Sequence, residues 1–207
     1  MRTPTSSEKQ RHIPVRVHSM TTGSVLLVES GLEYELVLDL DRDPTVVWLV
    51  PQPFRLRYLE SGVSRRRSHT PDLLSIDATG AVTVWDARPT DRQDEKFKAA
   101  TKAAAAACEE VEWGYRVFAG HSPVRAANLR WVSAFRHVQP WYENAAAELE
   151  RVSRRPGASV VDVLAADHGA GHLLSALWHH CWSGAVEIDL DLPLTRDSAI
   201  NWATADG

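Results

Sequence analysis

Acids and a cation fall in this sequence at spacings that could hold a metal ion. Segments 72–76 and 82–87 read as strands, and Asp77-Ala78-Thr79-Gly80 between them is hairpin-turn chemistry. With Asp72 opposite Asp86, Leu74 faces Val84 and Ile76 faces Val82, so one face of the hairpin is apolar inside and acidic at its open end. Arg88, two residues beyond Asp86, lies on the same face. A further acid, Glu33, belongs to an earlier predicted helix. Carboxylate oxygens converging at a strand end suit a hard divalent cation, and phosphodiester hydrolysis is a reaction such a cation serves. Each residue also has a plain structural use: Glu33 as a capping-box acid, Asp72 as a strand-start acid after Pro71, Asp86 with Arg88 as a same-face strand pair.

The elements that must position these residues follow from periodicity. Leu32, Leu36, Val37 and Leu40 recur at helical spacing until Asp43-Pro44, with Ser30 as the predicted N-cap and Glu33 at the third helical position. Strands are expected at 46–50 and 54–59, ahead of the hairpin. Thr90-Asp91-Arg92-Gln93 is a second capping-box pattern, opening a long helix to about residue 112 through the alanine run 103–107. A strand at 115–118 and a helix over 123–136 follow, an order that describes an α/β fold with a mixed sheet flanked by helices. Residues 1–23 read as a flexible arm with a short strand at 13–17. Beyond His137 come a charged helix over 142–154, a break at Arg154-Arg155-Pro156-Gly157, helices over 160–167 and 172–181, and a strand-like stretch at 185–190 with a turn at Pro193. The expected division is an arm 1–23, a main domain 24–137, a helical linker 138–156 and a small winged-helix-like domain 157–207.

Composition narrows the function classes. With 207 residues, 44% hydrophobic and 24% charged, the chain is neither disordered nor collagen-like. The net charge of -4 argues against coating nucleic acid by charge alone. Its distribution says more: between 55 and 67 five arginines stand against Glu60, whereas from Glu187 onward five acids stand against Arg196. Arg65, Arg66 and Arg67 are therefore the candidate phosphate contacts, with Gln52 as a further one, against the plainer readings of a solvated loop and a turn residue before Pro53. The acidic end is expected to meet a protein partner at least as much as DNA. Cys108 and Cys181 fall in different predicted modules, so no disulfide framework is expected and a reducing cytoplasm fits. Glu8, Lys9 and Arg11 without an apolar run predict no export, and the apolar stretch 45–54, broken by Pro51 and Pro53, is too short for a membrane span. His168, His172, His179, His180 and Cys181 hint at zinc, but Gly169-Ala170-Gly171 breaks the helix that would align the first two, and core packing is the reading preferred.

The order Glu33, Pro71-Asp72, Asp86-Ala87-Arg88 resembles the PD-(D/E)xK nuclease signature. The surrounding text, Glu29-Ser30-Gly31-Leu32-Glu33, Asp41-Arg42-Asp43-Pro44-Thr45-Val46, Gln52-Pro53-Phe54 and Ser68-His69-Thr70-Pro71-Asp72, is similar to the TnsA-like endonuclease subunit of heteromeric transposases over residues 24–136. That resemblance implies a restriction-endonuclease-like sheet, a following winged-helix domain, and cutting of double-stranded DNA at transposon ends with Mg²⁺, Mn²⁺ serving as substitute. It further implies metal binding by Glu33, Asp72 and Asp86, a basic catalytic role for Arg88, and a transposase subunit and regulatory ATPase as partners. Where the family has Lys, this chain has Arg88, a guanidinium that can stabilise charge but cannot act as a general base. Lys96 and Lys98 are the candidates for a displaced lysine. Two functions are thus expected: a metal-dependent DNA endonuclease, or a nuclease-fold DNA-binding or assembly subunit that no longer cuts. Replacing Asp72 or Asp86 by Ala is expected to abolish cutting and leave folding intact.

Overall fold

The computed structural model describes residues 14–59 and 66–203. Contacts divide the chain into two compact units, the first ending at Gly120 and the second beginning at His121.

The first unit opens with a hairpin of β1 (Val15–Ser19) and β2 (Ser24–Val28), in which Val15 stands opposite Val28. Residues 15–23, expected within a flexible arm, are therefore strand and turn; residues 1–13 lie outside the described residues. The alternation that buries Val17, Leu26 and Val28 drives the pairing, and Gly23 closes the turn at a φ of +60°. The deciding contact is remote in sequence. Buried Asp41 accepts from the Ser19 hydroxyl at 2.6 Å and from the Met20 and Thr21 N–H groups, each at 2.8 Å. Asp41 belongs to helix α1 (Gly31–Arg42), which starts at the predicted cap: the Ser30 hydroxyl accepts from the Glu33 N–H at 3.1 Å. Asp41→Ala would strand three donors at that turn and is expected to destabilise the fold by about 2–4 kcal/mol, read from urea unfolding. A loss below about 0.5 kcal/mol would mean that water replaces the carboxylate without penalty.

Four strands form the mixed sheet: β3 (Val46–Pro51), β6 (Leu73–Asp77), β7 (Val82–Ala87) and β8 (Gly114–Phe118), in that spatial order. The first two neighbour pairs are antiparallel and β7 runs parallel to β8. Between β3 and β6 in the chain, β4 (Leu56–Leu59) and β5 (Arg66–His69) make a separate antiparallel pair, with Tyr58 opposite Arg67 and Leu56 opposite His69. The arginine segment, read as a loop, is thus a strand from Arg66 on, its state set by its partner rather than by propensity; Arg65 lies outside the described residues. In the β6–β7 hairpin Leu74 faces Val84 and Ile76 faces Val82, the expected register. Gly80 at a φ of +87° and the Asp77 carboxylate, which accepts from the Thr79 and Ala81 N–H groups, shape its turn.

Helices flank this sheet. Helix α1 packs on β7, and α2 (Glu95–Glu109) packs on β8, with Cys108 set against Leu74 and Val84. The expected start of α2 at Thr90 is displaced. Thr90–Arg92 is a single 3₁₀ turn, and the helix is capped by Asp94, whose carboxylate accepts from the Phe97 N–H at 2.7 Å.

The second unit comprises α3 (Pro123–Ser133), α4 (Tyr142–Ser153), α5 (Val160–Ala166), α6 (His172–Ser183) and the antiparallel pair β9 (Val186–Ile188) and β10 (Ile200–Trp202). Helix α6 is its centre: α3, α4, α5 and β9 all pack on it, burying Leu173, Leu177, Trp178 and Trp182. Helix α3 was expected in the main domain but groups here, because Ala126, Leu129 and Val132 are buried and the Asn128 amide donates to the carbonyls of Leu190 and Leu192 at 2.9 and 2.7 Å. His172 stacks on Trp141 and His179 on Tyr142, with ring centroids 4.7 and 4.5 Å apart, so these histidines pack against aromatic rings. Cys108 and Cys181 are buried and not joined in a disulfide. Among the described residues no helix is long and apolar enough to cross a membrane.

Candidate metal centre and phosphate cleft

A cleft of about 650 Å³ opens in the first unit between the start of α1, the β4–β5 pair, the open end of the β6–β7 hairpin and the start of α2. Glu33, Asp72, Asp86 and Arg88 all line it. Asp72 sits just before β6 at the open end of the hairpin. The ladder ends with Leu73 opposite Trp85, the Asp72 N–H donates to the Trp85 carbonyl at 3.0 Å, and its carboxylate reaches the Ala87 N–H beyond Asp86, so the expected facing pair Asp72–Asp86 is not part of the ladder although both acids line the cleft. Glu33 arrives from the first turn of α1, where the capping geometry fixes it: its carboxylate accepts from the Ser30 hydroxyl and from the Glu29 N–H, both at 2.8 Å. The plain reading of Glu33 as a capping acid is therefore met in full, alongside its place in the cleft.

Burial separates the acids from the cations. Asp86 is 1% exposed and Glu33 8%, whereas Arg88, Arg92 and Lys96 are exposed at the edge of the same cleft. Asp86 Oδ2 accepts from the Tyr115 hydroxyl and lies 2.7 Å from His69 Nε2; Asp72 Oδ2 accepts from the Ala87 N–H at 2.8 Å. Burial foremost, then the negative charge of Glu33 and that of Asp86, push the Asp72 carboxyl up to about 7, against the Ala87 N–H and His69, which pull it down. Tyr115 is held well above its ordinary range by burial and by the Asp86 charge beside it.

Among the described residues no three His, Cys, Asp or Glu side chains stand as a preformed metal-ligand group. The donor chemistry nevertheless fits a hard divalent cation. The side-chain hydrogen bonds of Asp72 and Asp86 fall on Oδ2, which leaves Oδ1 of each for a ligand, and Asp72 is raised by burial and then by the neighbouring charges of Glu33 and Asp86.

The cations are arranged differently from expectation. Arg88 Nε donates to the Arg92 carbonyl at 3.0 Å and its guanidinium lies 5.4 Å from the Phe97 ring centre, so the side chain is held along the entrance to α2. Of the two lysines weighed as replacements, Lys96 lines the cleft, and Lys98 pairs with Glu95 at 2.8 Å. In β5 successive side chains alternate faces; Arg67 lines the cleft and Arg66 does not. Gln52 is not among the lining residues. It opposes Asp72 at the end of β3, donates its N–H to the Asp72 carbonyl at 2.9 Å, and turns the chain away with a φ of +46°.

No protein-family profile matches the chain, and neither does any curated protein. The site therefore stands on its own geometry. Among the lining residues, His69, Tyr58 and Arg92 were given no part in the site by the sequence reading. His69 stands three residues before Asp72 in the segment quoted for the family resemblance, and the strand alternation that pairs Tyr58 with Arg67 was the available signal for Tyr58.

Proposed function

We propose that the chain is a metal-dependent DNA endonuclease subunit of a heteromeric transposase, hydrolysing phosphodiester bonds at transposon ends. The observation that carries the chemistry is the cleft in which three buried or half-buried acids lie beneath exposed cations, with Asp72 raised to about 7 by burial and by its acidic neighbours. Asp72 and Asp86, with Glu33 as third, are the residues that would hold Mg²⁺ or Mn²⁺. A divalent cation there supplies charge neutralisation and activates water for attack on phosphorus. The chain's own residues do the rest: Arg67, Arg92 and Lys96 meet the phosphate backbone, and the Ala87 N–H and Tyr115 keep the two strand acids in place. The transposition context, with a transposase subunit and a regulatory ATPase as partners in the cytoplasm, rests on the sequence resemblance. Helices α5 and α6 followed by the β9–β10 pair are in the order of a winged helix, and that unit is read as the family's small second domain.

The rival is a DNA-binding or assembly subunit that no longer cuts. One observation favours it: Arg88, in the place of the catalytic lysine, is spent on the Arg92 carbonyl and the Phe97 ring. The experiment is strand scission of transposon-end DNA by the full chain with Mn²⁺, alone and with its transposition partners. Metal-dependent cutting that Lys96→Ala removes and Arg88→Lys leaves standing is the expected outcome. Intact DNA under every condition would give the chain to the rival.

DNA binding has its own signature. Arg67→Ala is expected to lower the slope of log affinity against log salt by about 0.9, one phosphate contact, while Arg66→Ala changes it by less. Equal effects from the two would mean that the DNA does not follow the cleft face of β5.

A further inference from the structure

Asp86 is the most buried of the three acids, at 1% exposure, and among the described residues neither lysine nor arginine pairs with it. Two donors on one oxygen hold it instead. His69 reaches Oδ2 from β5 at 2.7 Å, and the Tyr115 hydroxyl reaches the same atom from β8. The two come from different sheets: β5 pairs only with β4, whereas β8 is the parallel neighbour of β7, which carries Asp86. A carboxylate gripped twice on one oxygen cannot turn about its Cβ–Cγ bond without breaking two charge-assisted hydrogen bonds in a buried setting.

We propose that His69 is a positioning residue of the metal centre: with Tyr115 it clamps Oδ2 of Asp86 and so aims Oδ1 into the cleft. The inference rests on the metal-site reading of the cleft given above. It accounts for a histidine that lines the cleft yet spends Nε2 on Asp86. It also gives the strand acids a shared logic. Asp72 is gripped on its Oδ2 by the Ala87 N–H, so each of the two has one oxygen committed to the protein and one left for a ligand. Residues that orient a metal's ligands typically carry a factor of about 10–100 in metal affinity.

The test is Mn²⁺ binding to the full chain without DNA, followed by the loss of the free-ion electron paramagnetic resonance signal. Wild type should bind, and Asp72→Asn should not. His69→Ala is expected to weaken binding about tenfold. Geometry then separates donor from filler: a Gln amide nitrogen falls near the position of Nε2, an Asn amide near that of Nδ1. His69→Gln should therefore stay within about threefold of wild type and His69→Asn should behave like the alanine variant. Tyr115→Phe, which deletes the other donor on Oδ2, should weaken binding in the same direction, and the comparison of His69→Gln with His69→Asn decides the matter if the alanine variant fails to fold. Wild-type affinity in His69→Ala, or Gln doing no better than Asn, would overturn the positioning role while leaving the metal site standing. Failure of wild type to bind Mn²⁺ would overturn both.

Discussion

Asp72→Asn should yield a chain that no longer cuts DNA and melts at a higher temperature than wild type. The first half follows from removing a ligand: losing an outer partner already takes about 10–100-fold from metal affinity or activity, so losing the carboxylate itself should take more than about 100-fold from cleavage. The second half follows from charge. Burial, Glu33 and Asp86 raise the Asp72 carboxyl from 3.8 to about 7, so the folded chain holds that proton more tightly than the unfolded chain does. Stability from this group is full below about pH 4 and is lost as the pH rises through about 7, which makes the ionised form a burden at pH 8. An amide keeps an oxygen to accept from the Ala87 N–H and carries no charge. Relief of even 1 kcal/mol amounts to roughly 2–4 °C in a chain of this size, and a gain of that order at pH 8, shrinking toward pH 4, is the expected melting curve. An unchanged melting temperature across that range would show that Asp72 is not crowded by negative charge.

Asp86→Ala should also end cleavage, but with the opposite effect on the fold. This carboxylate is the only acceptor described for His69 Nε2 and the Tyr115 hydroxyl, and removing it leaves both half-buried donors without that partner. At about 1–3 kcal/mol for each stranded group, a loss of roughly 2–6 kcal/mol is expected in urea unfolding. Asp86→Asn should recover much of that stability, since an amide oxygen can accept both bonds, without recovering cleavage. The sequence alone suggested that the two acids would behave alike and leave folding intact; their different surroundings divide them. Equal stability of the two alanine variants would remove the distinction.

What could be read in advance was local. The Ser30 cap, Glu33 in the first turn and the Leu74–Val84 register depend on residues within a few positions of one another, where turn chemistry and period decide. The surroundings of Asp86 could not be read. Tyr115 reaches it only because β8 runs parallel to β7 across the intervening α2, a pairing that no local spacing specifies. His69 was in view as a residue of the family resemblance, but no strand was expected over 66–69, so its direction was not fixed. The contacts of Arg88 could not be read for a related reason. Its fate depends on where α2 begins, and the Asp94 cap that moves the start also brings Phe97 beneath the guanidinium.

The bond set around Asp41 also ties the beginning of the chain to the cleft. A two-stranded hairpin is marginal by itself in water, and the β1–β2 turn gains an acceptor for its amides only when α1 has wound as far as Asp41. Hairpin and helix are thus one cooperative unit that opens and closes together. The far end of that helix carries Glu33. Trimming the chain to begin after β1, as one would when discarding an apparently loose N-terminus, would remove the partners that hold the helix and, through it, loosen one wall of the cleft.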